Sequence, residues 1–185
     1  MIRAAAVILA AGAGRRLGGL NKAALRLPDG RTYIDAILEL CRAAGCPAIV
    51  VVAEPHGAAV RELAGAATVV WSPTPERGMA SSLAVGLAAL DAADAALVWP
   101  VDHARVLAAT VTALLAAGAR DRAVVPTFSG RGGHPTLFGA TLWPELFASA
   151  DPDAGGARAV LARDPARVLR LPTDDEGVVR DHDLP

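Results

Sequence analysis

The sequence predicts an α/β fold: a three-layer sandwich of helices around a mostly parallel, Rossmann-like sheet. Short apolar runs alternate with alanine-rich segments of helical length, the order that builds βαβ units. The first run, residues 4–10, is continuously apolar, as expected for a central strand buried on both faces. At 185 residues, without a low-complexity linker or internal repeat, the chain can bury a full core and reads as one domain over residues 1–185.

Each element has a local signal. After the first strand, Pro28-Asp29-Gly30 marks a turn. Residues 32–44 carry Ile34, Ile37, Leu38 and Cys41 at helical spacing, and Gly45 supplies the stop. Residues 48–53 read as the second strand, 55–64 as a helix ending near Gly65, and Thr68–Trp71 as the third strand. A loop over residues 72–78 leads into a helix over 79–90. Residues 95–99 form the fourth strand, with Pro100-Val101-Asp102 at its exit, and 106–117 the next helix. Further strands are expected at 123–125 and 136–138, helices at 141–148 and 154–162, and short strands at 168–171 and 178–179. Right-handed crossovers put ligands outside the carboxyl ends of such strands. Three loops leave the sheet there: the glycine loop after strand one, residues 72–78, and residues 100–103.

Composition narrows the function. Apolar residues make up 53% and aromatics 4%, which favours closely packed helices with few bulky anchors. A net charge of -1 without long charge runs argues against a nucleic-acid surface. Cys41 and Cys46 have no companion pair, so small buried thiols in a reducing compartment are expected rather than a disulfide framework or a zinc site. No apolar run reaches the roughly 20 residues of a bilayer span. The apolar residues after Met1-Ile2-Arg3 read as a buried strand rather than a leader. A cytoplasmic protein with no membrane or nucleic-acid partner is expected.

The segment with the most chemistry runs from Leu9-Ala10-Ala11-Gly12-Ala13-Gly14 through Arg15, Arg16 and Gly18 to Lys22. Glycines let the backbone turn its N–H groups toward a ligand, and the cations offset phosphate charge. The combination points to a nucleoside triphosphate. It is not a Walker A loop, because Lys22 follows Asn21 and precedes Ala23, leaving no hydroxyl for a metal. A dinucleotide fingerprint matches imperfectly: Leu17 stands where its third glycine belongs, although Glu54 closes strand two as an acidic ribose ligand would.

The same segment resembles the signature of the MobA-like nucleotidyltransferase family: Leu9-Ala10-Ala11-Gly12, then Arg16-Leu17-Gly18, then Lys22. The likeness continues through Gly78-Met79-Ala80-Ser81-Ser82-Leu83, Pro100-Val101-Asp102-His103, Gly130-Arg131-Gly132-Gly133-His134-Pro135, Gly155-Gly156-Ala157-Arg158 and Asp181-His182-Asp183. In pattern it is most similar to molybdenum cofactor cytidylyltransferases. The resemblance implies a fold of the nucleotide-diphospho-sugar transferase type. The implied enzyme moves a nucleoside monophosphate from an NTP to a phosphorylated acceptor with release of pyrophosphate. CTP is the favoured nucleotide and the molybdopterin cofactor the favoured acceptor, with Mg2+ as cofactor and a molybdoenzyme or its chaperone as protein partner.

The residues take roles accordingly. Leu9, Ala10, Ala11, Gly12, Ala13 and Gly14 would bind the nucleotide, with Ser72, Gly78, Ser81 and Ser82. Arg16 and Lys22 would bind it and act catalytically by offsetting charge on the phosphates and the leaving pyrophosphate. Asp102, directly after an apolar strand, suits magnesium, a hard ion that takes oxygen ligands; capping the following helix is its competing role. The resemblance makes Asp183 the second metal carboxylate, with Asp181 as its rival. His134 would meet the acceptor, and His103 is expected as a supporting or solvent-facing ring. Three departures from the family pattern stand out: Ser72 replaces an Asn or Asp, Ala104 replaces a proline after the metal turn, and Asn21 replaces an Asp. The spacing from Arg16 to Lys22 looks like guanylyltransferases that use GTP, whereas Leu-Ala-Ala-Gly looks cytidylyl-like. Alternatives are therefore a molybdopterin guanylyltransferase, a transferase acting on sugar phosphates or other phosphates, and an NAD(P)-binding protein.

Overall fold

A computed structural model of the protein describes residues 2–12, 14 and 21–181. Among these, eight strands form one sheet: β1 (Ala4–Leu9), β2 (Ala48–Val52), β3 (Thr68–Trp71), β4 (Ala95–Pro100), β5 (Ala123–Phe128), β6 (Arg131–Gly132), β7 (Thr136–Gly139) and β8 (Val168–Pro172). The order runs β3-β2-β1-β4-β7-β5, with β8 on one edge of β5 and β6 beside β7 on the other. The sheet is mostly parallel. β1 pairs in parallel with β2 and β4, β2 with β3, and β5 with β8, while β7 runs against β4 and β5.

Alternation along the strands feeds two cores. Ala6 and Ile8 of β1, with Leu97 and Trp99 of β4, face α1 (Tyr33–Ala43), α2 (Gly57–Leu63) and α4 (Ala108–Ala117). Val7 and Leu9, with Ala96 and Val98, face α3 (Met79–Ala88), α5 (Trp143–Ala148) and α6 (Gly156–Arg163). With both faces covered, Val7, Ile8, Val50 and Val51 are wholly buried, the reason these strands read as continuous apolar runs. The small residues set the spacing: a side chain on Gly86 would collide with Val7 and Val51, so α3 lies directly on β1 and β2. α1 begins at a capping box, in which Thr32 Oγ1 accepts from the Asp35 N–H at 3.2 Å and the Asp35 carboxylate accepts from the Thr32 N–H at 3.1 Å.

The predicted elements fall near their expected places, with differences that bear on the site. The helix expected from residue 106 begins at Ala108, and that expected over 141–148 opens with a 3-10 turn, Ala140–Leu142. The strand expected at 178–179 is instead a 3-10 turn, Glu176–Val178. Asp175 causes this: its Oδ1 accepts the Gly177 N–H at 2.9 Å, and its Oδ2 accepts the Leu107 N–H and the Thr110 hydroxyl at 2.7 Å each. One buried carboxylate thus curls the segment and clasps it to the start of α4, leaving no extended edge to pair.

Candidate active site

The carboxyl ends of β1 and β4 bring two distant segments into contact. Lys22 lies in a 3-10 turn, Lys22–Ala24, that Asn21 starts by accepting the Ala23 N–H on Oδ1 at 3.0 Å. Asp102 lies in the turn after β4. Lys22 Nζ stands 2.9 Å from Asp102 Oδ2, with the two side chains 26% and 23% exposed. Partial burial makes such a pair stronger than an open surface ion pair.

The Asp102 turn is fastened from three sides. The Val101 N–H donates to the Leu9 carbonyl at 3.1 Å, the His103 N–H donates to Pro100 O at 3.1 Å, and the indole of wholly buried Trp99 donates to His103 O at 2.9 Å. A buried tryptophan N–H requires a partner, and here that partner is the turn that carries Asp102. Asp102 does not cap α4, whose leading Leu107 N–H is taken by Asp175.

At the root of the glycine loop, Leu9 accepts from Val101, and the Ala10 N–H donates to the Val51 carbonyl at 2.9 Å. These groups anchor the loop to the sheet. Ala11 is half-buried, Gly12 is exposed, and Gly14 has φ +59°, in the left-handed region that favours glycine. Ala13, Arg16 and Asp183 lie outside the described residues, as do Leu17 and Gly18. Asp181, the rival second carboxylate, is described and exposed.

The segment after β3 is tied to α3 by hydroxyl pairs. Ser72 Oγ is 3.2 Å from Ser82 Oγ, both residues being buried, and Thr74 Oγ1 is 3.1 Å from Ser81 Oγ. Neither serine caps α3. Gly78, at φ +94°, turns the chain from the 3-10 segment Pro75–Arg77 into the helix.

His134 reaches the same edge because β7 is antiparallel, so its start meets the end of β4. Between the β5–β6 and β5–β7 pairings, Val125 and Pro126 of β5 face four residues, Gly133 to Thr136. This bulge pushes His134 out of the ladder. It is held by the Gly133 N–H donating to Pro126 O at 2.8 Å and the His134 N–H donating to Val178 O at 2.7 Å. A side chain on Gly133 would strike the Val178 backbone.

The His134 ring sits 4.9 Å from the His103 ring, centroid to centroid, with the planes tilted by 56°. His103 is buried rather than solvent-facing. Burial, then the neighbouring His103 and Arg158, push the His134 imidazole down to about 4 against an opposing pull from Asp102, so the ring is neutral at pH 7. Among the described residues, no three His, Cys, Asp or Glu side chains group to hold a metal ion. Two supporting residues went unsingled in the sequence: Trp99 and Asp175. Only Asp175 had a usable local signal, the acidic turn before Gly177.

The chain is similar to known proteins over most of its length. A curated relative, nicotine blue oxidoreductase of Paenarthrobacter nicotinovorans, is 33% identical over 96% of this chain and 90% of its own. The crystal structure of Rv0371c from Mycobacterium tuberculosis H37Rv superposes with a TM-score of 0.76 at 29% identity, covering 93% of this chain and 88% of that one. A manganese complex of Rv0371c superposes with a TM-score of 0.72 at 26% identity, covering 92% and 88%. Among the described residues, no helix is long and apolar enough to cross a membrane. Residues 6–168, which hold both Lys22 and Asp102, match the MobA-like NTP transferase domain, and the chain belongs to that family of nucleotidyltransferases.

Proposed function

We propose that the protein transfers a nucleoside monophosphate from an NTP to a phosphorylated acceptor: a phosphate oxygen of the acceptor attacks the α-phosphorus, and pyrophosphate leaves. The observation that carries this reading is the 2.9 Å contact between Lys22 and Asp102, a cation and a carboxylate joined at the ligand edge of the sheet. Both reactants are anions, so charge neutralisation and alignment are the main tasks.

The chain's own groups divide these tasks. The N–H groups of residues 11–14 orient the triphosphate. Lys22 exchanges its contact with Asp102 for one with the phosphates, and Arg16 adds a second charge. Asp102 is then free to hold a divalent cation. The donor set fits a hard divalent cation that arrives with the nucleotide: Asp102 would supply one carboxylate oxygen, and Asp183 or Asp181 would add a second. When bound, such a cation screens the phosphates and aligns them. We take Mg2+ as the ion, CTP as the nucleotide and molybdopterin as the acceptor, in a cytoplasmic protein that hands its product to a molybdoenzyme or its chaperone. The Ser72–Ser82 and Thr74–Ser81 pairs hold the nucleoside-side loop against α3.

The test is pyrophosphate release with CTP, GTP, ATP and UTP against phosphorylated acceptors, a pterin phosphate among them. Metal-dependent release with one nucleotide is expected. No release with any pair removes the reading, and release only with sugar phosphates moves the acceptor. One observation favours a second reading, an oxidoreductase: the 33% identical relative carries that name. The exposed Glu54 after β2 is where a dinucleotide ribose would be met. That reading predicts NADH or NADPH oxidation that is insensitive to divalent metal.

A further inference from the structure

We propose that Lys22 is a lock on the cation site: without nucleotide its ammonium holds the Asp102 oxygen that a divalent cation would use, and the site opens only when a triphosphate draws Lys22 away. The inference rests on the transferase reading and adds to it the order in which metal and nucleotide are admitted.

The contact is built from both sides. Ala23, next to Lys22, is buried in the core that α1 and α2 share. The Ala24 N–H donates to Asn21 O at 3.0 Å and the Leu25 N–H donates to Lys22 O at 3.2 Å, which closes the turn. The Tyr33 N–H, at the start of α1, donates to Leu25 O at 2.8 Å and ties that turn to the helix. Asp102 is held by the bonds of Val101, His103 and Trp99 already described. Two anchored backbones thus set Nζ 2.9 Å from Oδ2. The four-carbon stem of lysine lets the ammonium swing to a new partner while both backbones stay in place.

An ammonium on Oδ2 and a divalent cation compete for one anion. With Lys22 in place, a cation at Asp102 would face a like charge across a single carboxylate, in a partly buried setting where water screens poorly. Among the described residues no three ligating side chains gather into a preformed cage, so nothing there offsets that repulsion for a bare cation. A triphosphate changes the balance. Its oxygens give Lys22 another anion to hold and bring the cation further ligands, so each binding event favours the other. Linkage makes the effect reciprocal: the factor that nucleotide lends to metal binding, metal lends to nucleotide binding. Once pyrophosphate leaves, Lys22 returns to Asp102 and closes the site again.

The experiment measures binding of Mn2+ alone to the full chain, without nucleotide or acceptor, by the loss of the free-ion EPR signal. Lys22→Gln should bind Mn2+ about tenfold tighter than wild type or more, a coupling of ordinary size. Lys22→Arg keeps the charge and should stay within about twofold of wild type. Arg61→Gln removes the same charge from the last turn of α2, and should also stay within about twofold. Adding Asp102→Asn to Lys22→Gln should abolish the gain. The proposal is overturned if Lys22→Gln binds Mn2+ no tighter than wild type, if Lys22→Arg or Arg61→Gln gains as much, or if the gain survives Asp102→Asn. Should Lys22→Gln fail to fold, Lys22→Met is measured in its place against the same threshold. Failure of the transferase reading is separable. It would appear as absent pyrophosphate release with every nucleotide while Lys22→Gln still tightened Mn2+ binding.

Discussion

The two edges of the sheet differ in kind. At the amino ends of β1 and β2, a cavity of about 910 Å3 opens between residues that are mostly small, among them Ala4, Ala44, Cys46, Ala48 and Ala116. At the carboxyl ends stand Lys22, Asp102, His103 and His134, packed against one another. An alanine-rich chain leaves space wherever helices and strands diverge, because its side chains are too short to fill the gap. Opposed charges and unpartnered ring nitrogens meet only where loops bring them together. Even the thiol on the amino edge is chemically quiet, since burial pushes Cys46 up to about 12. Volume marks one edge and chemistry the other, and substitutions at each should separate turnover from stability.

The largest effect belongs to the carboxyl edge. Asp102→Asn keeps the side-chain shape and removes the charge that would hold a cation. Pyrophosphate release should fall by about 10³-fold or more, with nucleotide binding retained and the melting temperature little changed. Equal turnover in the variant would remove the distinction between the edges.

Asp175 tests whether a carboxylate near that edge acts through the fold instead. Asp175→Ala strands the Leu107 and Gly177 N–H groups and the Thr110 hydroxyl, all now bonded to it. Urea unfolding should show a loss of about 2–4 kcal/mol, partly restored by Asn. The folded fraction should retain far more turnover than Asp102→Asn.

These pairings show what the sequence made legible. β1 to β4 and the loops after them could be read because each is a local pattern: a buried apolar run, then glycines or an acid. Asp102 could be placed at the site from the strand before it. The His103–His134 pair could not, because it depends on β7 running backwards and on four residues opposing two in a bulge, both consequences of pairing across the sheet. The two-residue strand β6 was invisible for the same reason. The expectation of a strand at 178–179 failed because two valines signal extension locally, while a carboxylate three positions earlier and the distant α4 decide the outcome.

The neutral His134 gives the carboxyl edge a pH signature that alanines cannot. Its folded value, about 4, lies below the ordinary 6.5, so the unfolded chain binds the proton more readily. The stability it contributes is complete above about pH 6.5 and is lost as pH falls toward 4, by about 3 kcal/mol at most. Unfolding free energies of wild type and His134→Gln, measured from pH 7.5 down to 4.5, should converge as the pH falls. Parallel curves would mean that the ring is already protonatable in the fold.

The smallest effect should come from the amino edge. Ala48 starts β2, is half-buried and lines the large cavity. Ala48→Val adds two methyl groups on the side of the strand that carries Val50 and Val52, with a residue type that strands favour. Burying each carbon is worth about 0.8 kcal/mol, reduced by incomplete contact with the cavity wall and by lost side-chain freedom, so a gain of about 1 kcal/mol is expected in urea unfolding. Pyrophosphate release should be unchanged, because β1 and β2 are held in register along their lengths and the added carbons lie at the far end of the strand from Lys22 and Asp102. A variant that gained stability and lost turnover would show that strain at one end of the sheet reaches the other, and the cavity would then be part of how the active edge is set.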